Sequence, residues 1–119
     1  MKMWLRRIFG KNGRQPEDLY QIEITDIFIR VQTPNGDSEQ IFWDDIDCIK
    51  LINTDQGPWI PDIWLGLFGE KDSCYIPHGA AGFDTIYDRV SKYEGFNFEN
   101  VAKSMSSTEN QEFLLWKKC

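Results

Sequence analysis

The chain has 119 residues, a formal net charge of −6, 41% hydrophobic residues, a single histidine and three cysteines. A chain of about 100–150 residues usually forms one core, large enough to fold without disulfides. An odd cysteine count (Cys48, Cys74 and the last residue, Cys119) without C-x-x-C spacing excludes a disulfide framework and a zinc site, and it suits a reducing cytoplasm.

The charge is unevenly divided. Lys2, Arg6, Arg7, Lys11 and Arg14 precede Gln15 with no acid among them, and setting those five cations aside leaves residues 15–119 at −11. The chain therefore reads as a basic N-terminal segment, 1–14, followed by one domain, 15–119. So acidic a domain is a poor direct binder of nucleic acid, because phosphate contacts need clustered Lys and Arg. It suits a basic partner, although solubility alone also accounts for the charge. At helical spacing Trp4, Leu5, Ile8 and Phe9 share one face, with the arginines opposite. Arg6 and Arg7 interrupt the apolar run and no small-residue cleavage site follows, so the segment is not a secretion signal. It reads as a short amphipathic helix that packs on the domain, or that makes weak contact with an anionic membrane. No stretch reaches the ~18 apolar residues of a membrane span.

From Tyr20 onward the apolar residues alternate as in strands. Tyr20 to Ile24 is the first, and then Ile27, Ile29 and Val31 share one face of a second. Thr33-Pro34-Asn35-Gly36-Asp37 is a hairpin turn, since Asn-Gly adopts positive φ at little cost. Glu39 to Trp43 returns with Ile41 and Trp43 together, and Asp44-Asp45 turns the chain into a strand at Ile46 to Ile52. Ile63, Leu65 and Leu67 then alternate with Trp64, Gly66 and Phe68, and a turn at Gly69 to Asp72 leads to a strand at Ser73 to Ile76. At Phe83 the period changes. Phe83, Ile86, Tyr87 and Val90 fall at i, i+3, i+4 and i+7, a helix opened near Gly82 and stopped by Gly95. Asn97 caps a second helix with Phe98, Val101, Ala102 and Met105 inward. Phe113 to Trp116 closes the chain as a strand or an extended segment. Strands followed by helices predict an α+β fold: a single antiparallel sheet of about six strands, with two helices in the C-terminal half.

Between the strands ending at Ile52 and beginning at Ile63 lies Asn53-Thr54-Asp55-Gln56-Gly57-Pro58-Trp59-Ile60-Pro61-Asp62. Pro58 and Pro61 cannot donate to a ladder and Gly57-Pro58 is a turn dipeptide, so this is a loop. Its Trp59, like Trp64 after it, either meets a partner or folds back on the core. For chemistry the chain offers less. His78, in Ile76-Pro77-His78-Gly79-Ala80-Ala81-Gly82, has Ser73 and Cys74 nearby but no oxyanion motif, which favours a loop histidine over a catalytic one. Gly79-x-x-Gly82 before a helix is a weak anion-cradle spacing that a tight turn also explains. Asp44, Asp45 and Asp47, or Asp55 with Asp62, are candidate ligands for a divalent ion. Neither group has calcium-loop spacing, and Asp44 is expected to face away from Asp45 and Asp47, so acidic turns are the simpler reading. No cofactor fingerprint is present. The residues describe a binding module rather than an enzyme.

Several strings taken together carry a resemblance: Trp43-Asp44-Asp45-Ile46, Thr54-Asp55-Gln56-Gly57-Pro58, Asp62-Ile63-Trp64-Leu65, Ile76-Pro77-His78-Gly79-Ala80-Ala81-Gly82, Gly95-Phe96, and Met105-Ser106-Ser107-Thr108 leading to Phe113 and Trp116. Over about residues 41 to 116 the chain resembles a family of small bacterial proteins that includes immunity proteins of contact-dependent growth-inhibition and related polymorphic toxin systems. The resemblance implies a cytoplasmic protein without catalytic activity that binds and neutralises a cognate toxin domain, a nuclease with a basic active-site surface. Nucleases are basic because their substrate is a polyanion, so an acidic inhibitor can occupy the same surface. The expected contact residues are acids on turns, Asp55, Asp62, Glu70 and Asp72, with Trp59 as an aromatic anchor. Trp43, Trp64 and Trp116 are expected to fill the core. The alternative is a small regulatory or scaffold domain that binds a peptide or a lipid headgroup. A hydrolase using His78 or an acidic metal site is a third reading.

Overall fold

Apolar alternation of period two builds most of the molecule. The structure, a computed structural model, describes residues 19–54, 63–107 and 109–118. Strands β1 (Gln21–Ile24), β2 (Phe28–Gln32) and β3 (Ser38–Phe42) form one antiparallel sheet in the order β1-β2-β3. Strands β4 (Cys48–Asn53), β5 (Ile63–Phe68), β6 (Ser73–Pro77) and β7 (Gln111–Lys117) form a second, in the order β6-β5-β4-β7. Helices α1 (Phe83–Val90) and α2 (Phe98–Ser106) lie between β6 and β7 in the chain. Residues 1–14 lie outside the described residues, as do 55–62.

The fold is α+β, but the expected single sheet of about six strands is two sheets of three and four. The reason is competition for the edge of β4. One edge pairs with β5 from Cys48↔Phe68 to Asn53↔Ile63, and the other pairs with β7 from Cys48↔Lys117 to Asn53↔Gln111. No edge is left for β3, although it precedes β4 directly in the chain. A single 3₁₀ turn at Trp43–Asp45 makes the corner between the sheets. Trp43 pins that corner: its backbone N–H donates to the Ile27 carbonyl at 3.0 Å and its indole N–H to the Thr25 carbonyl at 2.8 Å. The Arg89 guanidinium lies 3.8 Å from its ring centroid.

The core sits between the two sheets and α1. Ile29, Val31 and Ile41 from the first sheet join Ile49, Leu51, Leu65, Leu67, Cys74, Ile76 and Leu115 from the second, and Phe83, Ile86 and Val90 from α1. Ile27 departs from the face expected for it. It is 65% exposed, because the Thr25 hydroxyl accepts from the N–H groups of Ile27 and Phe28 and holds a turn there, so β2 begins one residue later. At the next hairpin Gly36 takes φ 96°, as its turn requires.

Helix α2, with Val101 packed against the core, turns only part of its expected face inward. Its Asn97 cap forms as expected, with the side-chain oxygen accepting from the Asn100 N–H at 2.9 Å. Yet Phe98 and Met105 are 58% and 46% exposed, and the buried residue is Ser104. Polar anchors set this rotation. Ser104 donates its hydroxyl to Asn53 Oδ1 at 2.6 Å, and Asn53 returns its amide to the Ser104 carbonyl at 2.9 Å. The Asn100 amide donates to the Leu114 carbonyl at 2.7 Å. Satisfied buried polar pairs of this kind fix an orientation that apolar spacing alone leaves open.

Candidate functional site

The acidic turns singled out in the sequence meet at one end of the four-stranded sheet. Asp44, Asp45 and Asp47 come from the β3–β4 corner, and Glu70 and Asp72 from the β5–β6 turn. All five are exposed. Together with Lys71 and Lys118 they line one hollow of about 450 Å³. Two backbone bonds knit its floor: the Asp47 N–H donates to the Phe68 carbonyl, and the Lys118 N–H to the Asp47 carbonyl, both at 2.7 Å. The turns approach so closely because residue 69 is glycine. A Cβ there would stand 2.5 Å from the Asp45 carbonyl oxygen, closer than any real side chain allows.

Asp44 is therefore not turned away from Asp45 and Asp47, since a 3₁₀ turn replaces the expected alternation and all three border the same hollow. Among the described residues no group of three or more acidic, histidine or cysteine side chains is placed to hold a metal ion. The carboxylates face solvent side by side instead of converging.

Beside this hollow, sharing Asp44 and Lys118 with it, runs a wider groove of about 640 Å³ whose aromatic walls are Trp43, Tyr93 and Trp116. Trp116 is half-buried and packs against the core. Its ring lies 4.9 Å from that of Tyr93, and its indole N–H donates to the Glu94 carbonyl at 3.1 Å. Trp43 is buried, as expected, and Trp64 is half-buried. An aromatic groove beside a charged rim is the usual composition of a protein-contact surface.

Of the expected contact residues, Glu70 and Asp72 stand in this site, whereas Asp55, Trp59 and Asp62 lie outside the described residues. The ends of that loop are held at the paired rung Asn53↔Ile63, whereas Glu70 follows the far rung Cys48↔Phe68. The two rungs are roughly 17 Å apart at ~3.3 Å per residue, so β5 separates Glu70 and Asp72 from the point where the chain enters the loop. Asp44, Asp45 and Asp47 join Glu70 and Asp72 in the acidic group.

The residues considered for catalysis are placed differently. His78 sits in the β6–α1 turn, its ring edge-on to Phe83 at 5.0 Å, and its backbone N–H donates to the Ile63 carbonyl at 2.8 Å. In the Gly79–Gly82 turn the Ala80 N–H donates to the Pro77 carbonyl, and the Phe83 N–H that follows donates to the Ala80 carbonyl, each at 3.1 Å. Cys74 is fully buried, with its thiol 3.7 Å from the Ile29 carbonyl. Burial, then the charges of Glu39 and Asp72, push that thiol up to about 12. Roughly 10⁻⁴ of it is thiolate at pH 8, so Cys74 is a poor nucleophile in the folded chain. A thiol-reactive disulfide reagent should leave Cys74 unmodified in native protein and modify it on unfolding. Comparison with Cys74→Ser, counting reacted thiols with and without denaturant, reads this directly. One thiol more in the wild type than in Cys74→Ser in denaturant confirms that the reagent reaches Cys74 once the chain is unfolded, and the same difference already present in native buffer would contradict the burial.

Among the described residues no helix is long and apolar enough to cross a membrane. No family model, curated protein or solved structure matches the chain.

Proposed function

We propose that this chain is an immunity protein, a cytoplasmic inhibitor that binds a cognate bacterial toxin domain and occludes its basic, nuclease-type active-site surface. The observation that carries the reading is the union of five exposed carboxylates from two turns around one hollow, continuous with a groove walled by Trp43, Tyr93 and Trp116. Such a surface supplies what inhibition of a basic enzyme requires. The acids complement a groove built for phosphates, and the aromatic walls offer desolvated contact area. The −11 charge of residues 15–119 extends the same attraction beyond the contact itself. The resemblance over residues 41 to 116 supports the same reading. An inhibitor of this kind needs no chemistry of its own.

The test is protection in cells. The toxin is sought as the variable C-terminal domain of a large secreted protein encoded immediately upstream. Its induction should arrest growth, and co-expression of this chain should restore it, with the two proteins co-purifying. Growth arrest that this chain leaves unchanged while it is folded and abundant would overturn the reading.

A further inference from the structure

A second pocket lies at the other end of the four-stranded sheet. It is about 320 Å³, and its lining includes Tyr20, Thr33, Glu39, Ile52, Trp64 and Tyr75. That volume lies at the small end of the range for ligand pockets. Both sheets contribute to it: Tyr20 just ahead of β1, Glu39 on β3, Ile52 on β4, Trp64 on β5 and Tyr75 on β6. Tyr20 and Trp64 meet edge to face, with ring centroids 5.4 Å apart and planes at 83°. Three aromatic residues from three segments thus line a space that Glu39 also borders.

Glu39 occupies a register position meant for an apolar side chain. It pairs with Val31 across the ladder and shares the inner face with Ile41, two residues on. One of its oxygens accepts the Tyr75 backbone N–H at 2.9 Å, which covers the free edge of β6. An edge cover needs an acceptor but no charge, and glutamine would serve. The charge is also costly where it stands. Burial raises the pKa of Glu39, and its bond from Tyr75 only partly opposes this. The Tyr20 hydroxyl is raised too, by burial first and then by the charge of Glu39. Among the described residues no cation pairs with Glu39, and no Lys or Arg lines the pocket.

We propose that this pocket binds an alkylated ammonium cation, with the aromatic side chains of Tyr20, Trp64 and Tyr75 around its charge and the Glu39 carboxylate as counter-ion. Aromatic rings attract cations through their quadrupoles, most strongly where water is excluded, and quaternary ammonium groups are the usual guests of such cages. A half-desolvated carboxylate strengthens that attraction. A divalent metal would find one carboxylate where it needs several oxygens. A guanidinium would need its five N–H donors satisfied, and among the described residues the one carboxylate lining the pocket, Glu39, already accepts from the Tyr75 N–H. An ammonium carrying methyl groups asks for little beyond charge and ring contact. This inference stands apart from the inhibitor reading, because Trp64 is the second residue of β5 and the acidic hollow lies beyond the strand's far end.

The experiment is calorimetric titration of the full chain with choline, with its neutral isostere 3,3-dimethylbutan-1-ol, and with N-acetyl-trimethyllysine methylamide. The two cations should bind saturably, and the isostere at least about tenfold more weakly. The tighter of the two cations shows whether the group arrives as a small molecule or on a peptide. Glu39→Gln should weaken choline binding about tenfold, and Tyr75→Leu should weaken it by a similar factor. The same Glu39→Gln substitution should raise the melting temperature, because Gln still accepts from Tyr75 while the half-buried charge is gone. The sign follows from the raised pKa. The native chain holds this proton more tightly than the unfolded one, so the carboxylate costs stability above its folded pKa and the cost fades as pH falls through that value. The gain from Gln should accordingly be largest at neutral pH and vanish on acidification. Among the described residues Tyr20, Cys74 and Tyr75 are the titratable groups around Glu39, and phenols and thiols ordinarily titrate well above carboxylates. A melting temperature raised together with lost choline binding separates a ligand-binding charge from an edge cover. Isostere binding as tight as choline, undiminished choline binding by Glu39→Gln, or no saturable binding of either cation would overturn the proposal.

Discussion

Deleting residues 113–119 should abolish cooperative folding. β7 is the last strand in the chain, yet it supplies one whole edge of β4, and its Phe113 and Leu115 are buried in the main core. The deletion also removes Trp116 from its place against Tyr93, the Leu115 carbonyl that accepts the Asn97 N–H at 2.8 Å, and the Leu114 carbonyl that accepts the Asn100 amide. Loss of one buried Phe or Trp costs about 3–5 kcal/mol, and loss of a buried Leu about 2–5 kcal/mol. The losses of Phe113 and Leu115 alone reach into the roughly 5–15 kcal/mol that holds a domain folded, and that of the half-buried Trp116 adds to them. The truncated chain should therefore be insoluble or show no cooperative melt by circular dichroism. The milder Leu115→Ala should remain folded and melt markedly lower, since each kcal/mol moves the midpoint by about 4–8 °C in a domain of this size. A truncated chain that melts like the full one would mean that β7 contributes nothing to the core.

The elements that could be read from the sequence are those whose pattern is local. The strand runs ending in Ile24, Val31 and Ile52, the Asn35-Gly36 turn, the α1 face of Phe83, Ile86 and Val90, and the Asn97 cap all depend on residues within one or two turns of each other. The split into two sheets depends instead on whether β3 or β7 wins the second edge of β4, a choice between partners about ten and sixty residues away, which alternation does not encode. The rotation of α2 was hidden for a related reason, because the Asn53–Ser104 pair that sets it spans fifty-one residues. In the candidate site each acid was visible as a turn residue, but nothing local joined Asp44, Asp45 and Asp47 to Glu70 and Asp72. That union comes from the approach of Gly69 to the Asp45 carbonyl, a contact made possible by an absent side chain. Glu39 did leave a signal: an acid two residues before Ile41, on the face that should be apolar.

The hollow makes a kinetic prediction for the proposed inhibitor. Replacing Asp44, Asp45, Glu70 and Asp72 together with their amides removes four of the five exposed carboxylates that line it. The fold should be nearly unaffected, since surface changes away from caps and cores move stability by about 0.5 kcal/mol or less. Association with the toxin domain should slow by about tenfold or more, because oriented charge raises encounter rates by ~10–10³. Dissociation should change less, since rim charges act mainly on approach and the buried aromatic contacts govern residence. Salt should mimic the substitution in the wild-type chain. Raising ionic strength from 0.01 M to 0.1 M shortens the screening length from about 30 Å to about 10 Å, so the wild-type on-rate should fall steeply while that of the variant stays flatter. Asp55 and Asp62, changed to amides as a pair, form the necessary control, because their loop joins the opposite end of β5. If the hollow is the steering surface, the quadruple variant loses far more on-rate per charge than this pair. Surface-plasmon kinetics across a salt series separates the cases. A quadruple variant that associates at the wild-type rate would exclude the hollow as the contact surface, and a larger loss per charge from Asp55 and Asp62 would move the interface to the loop.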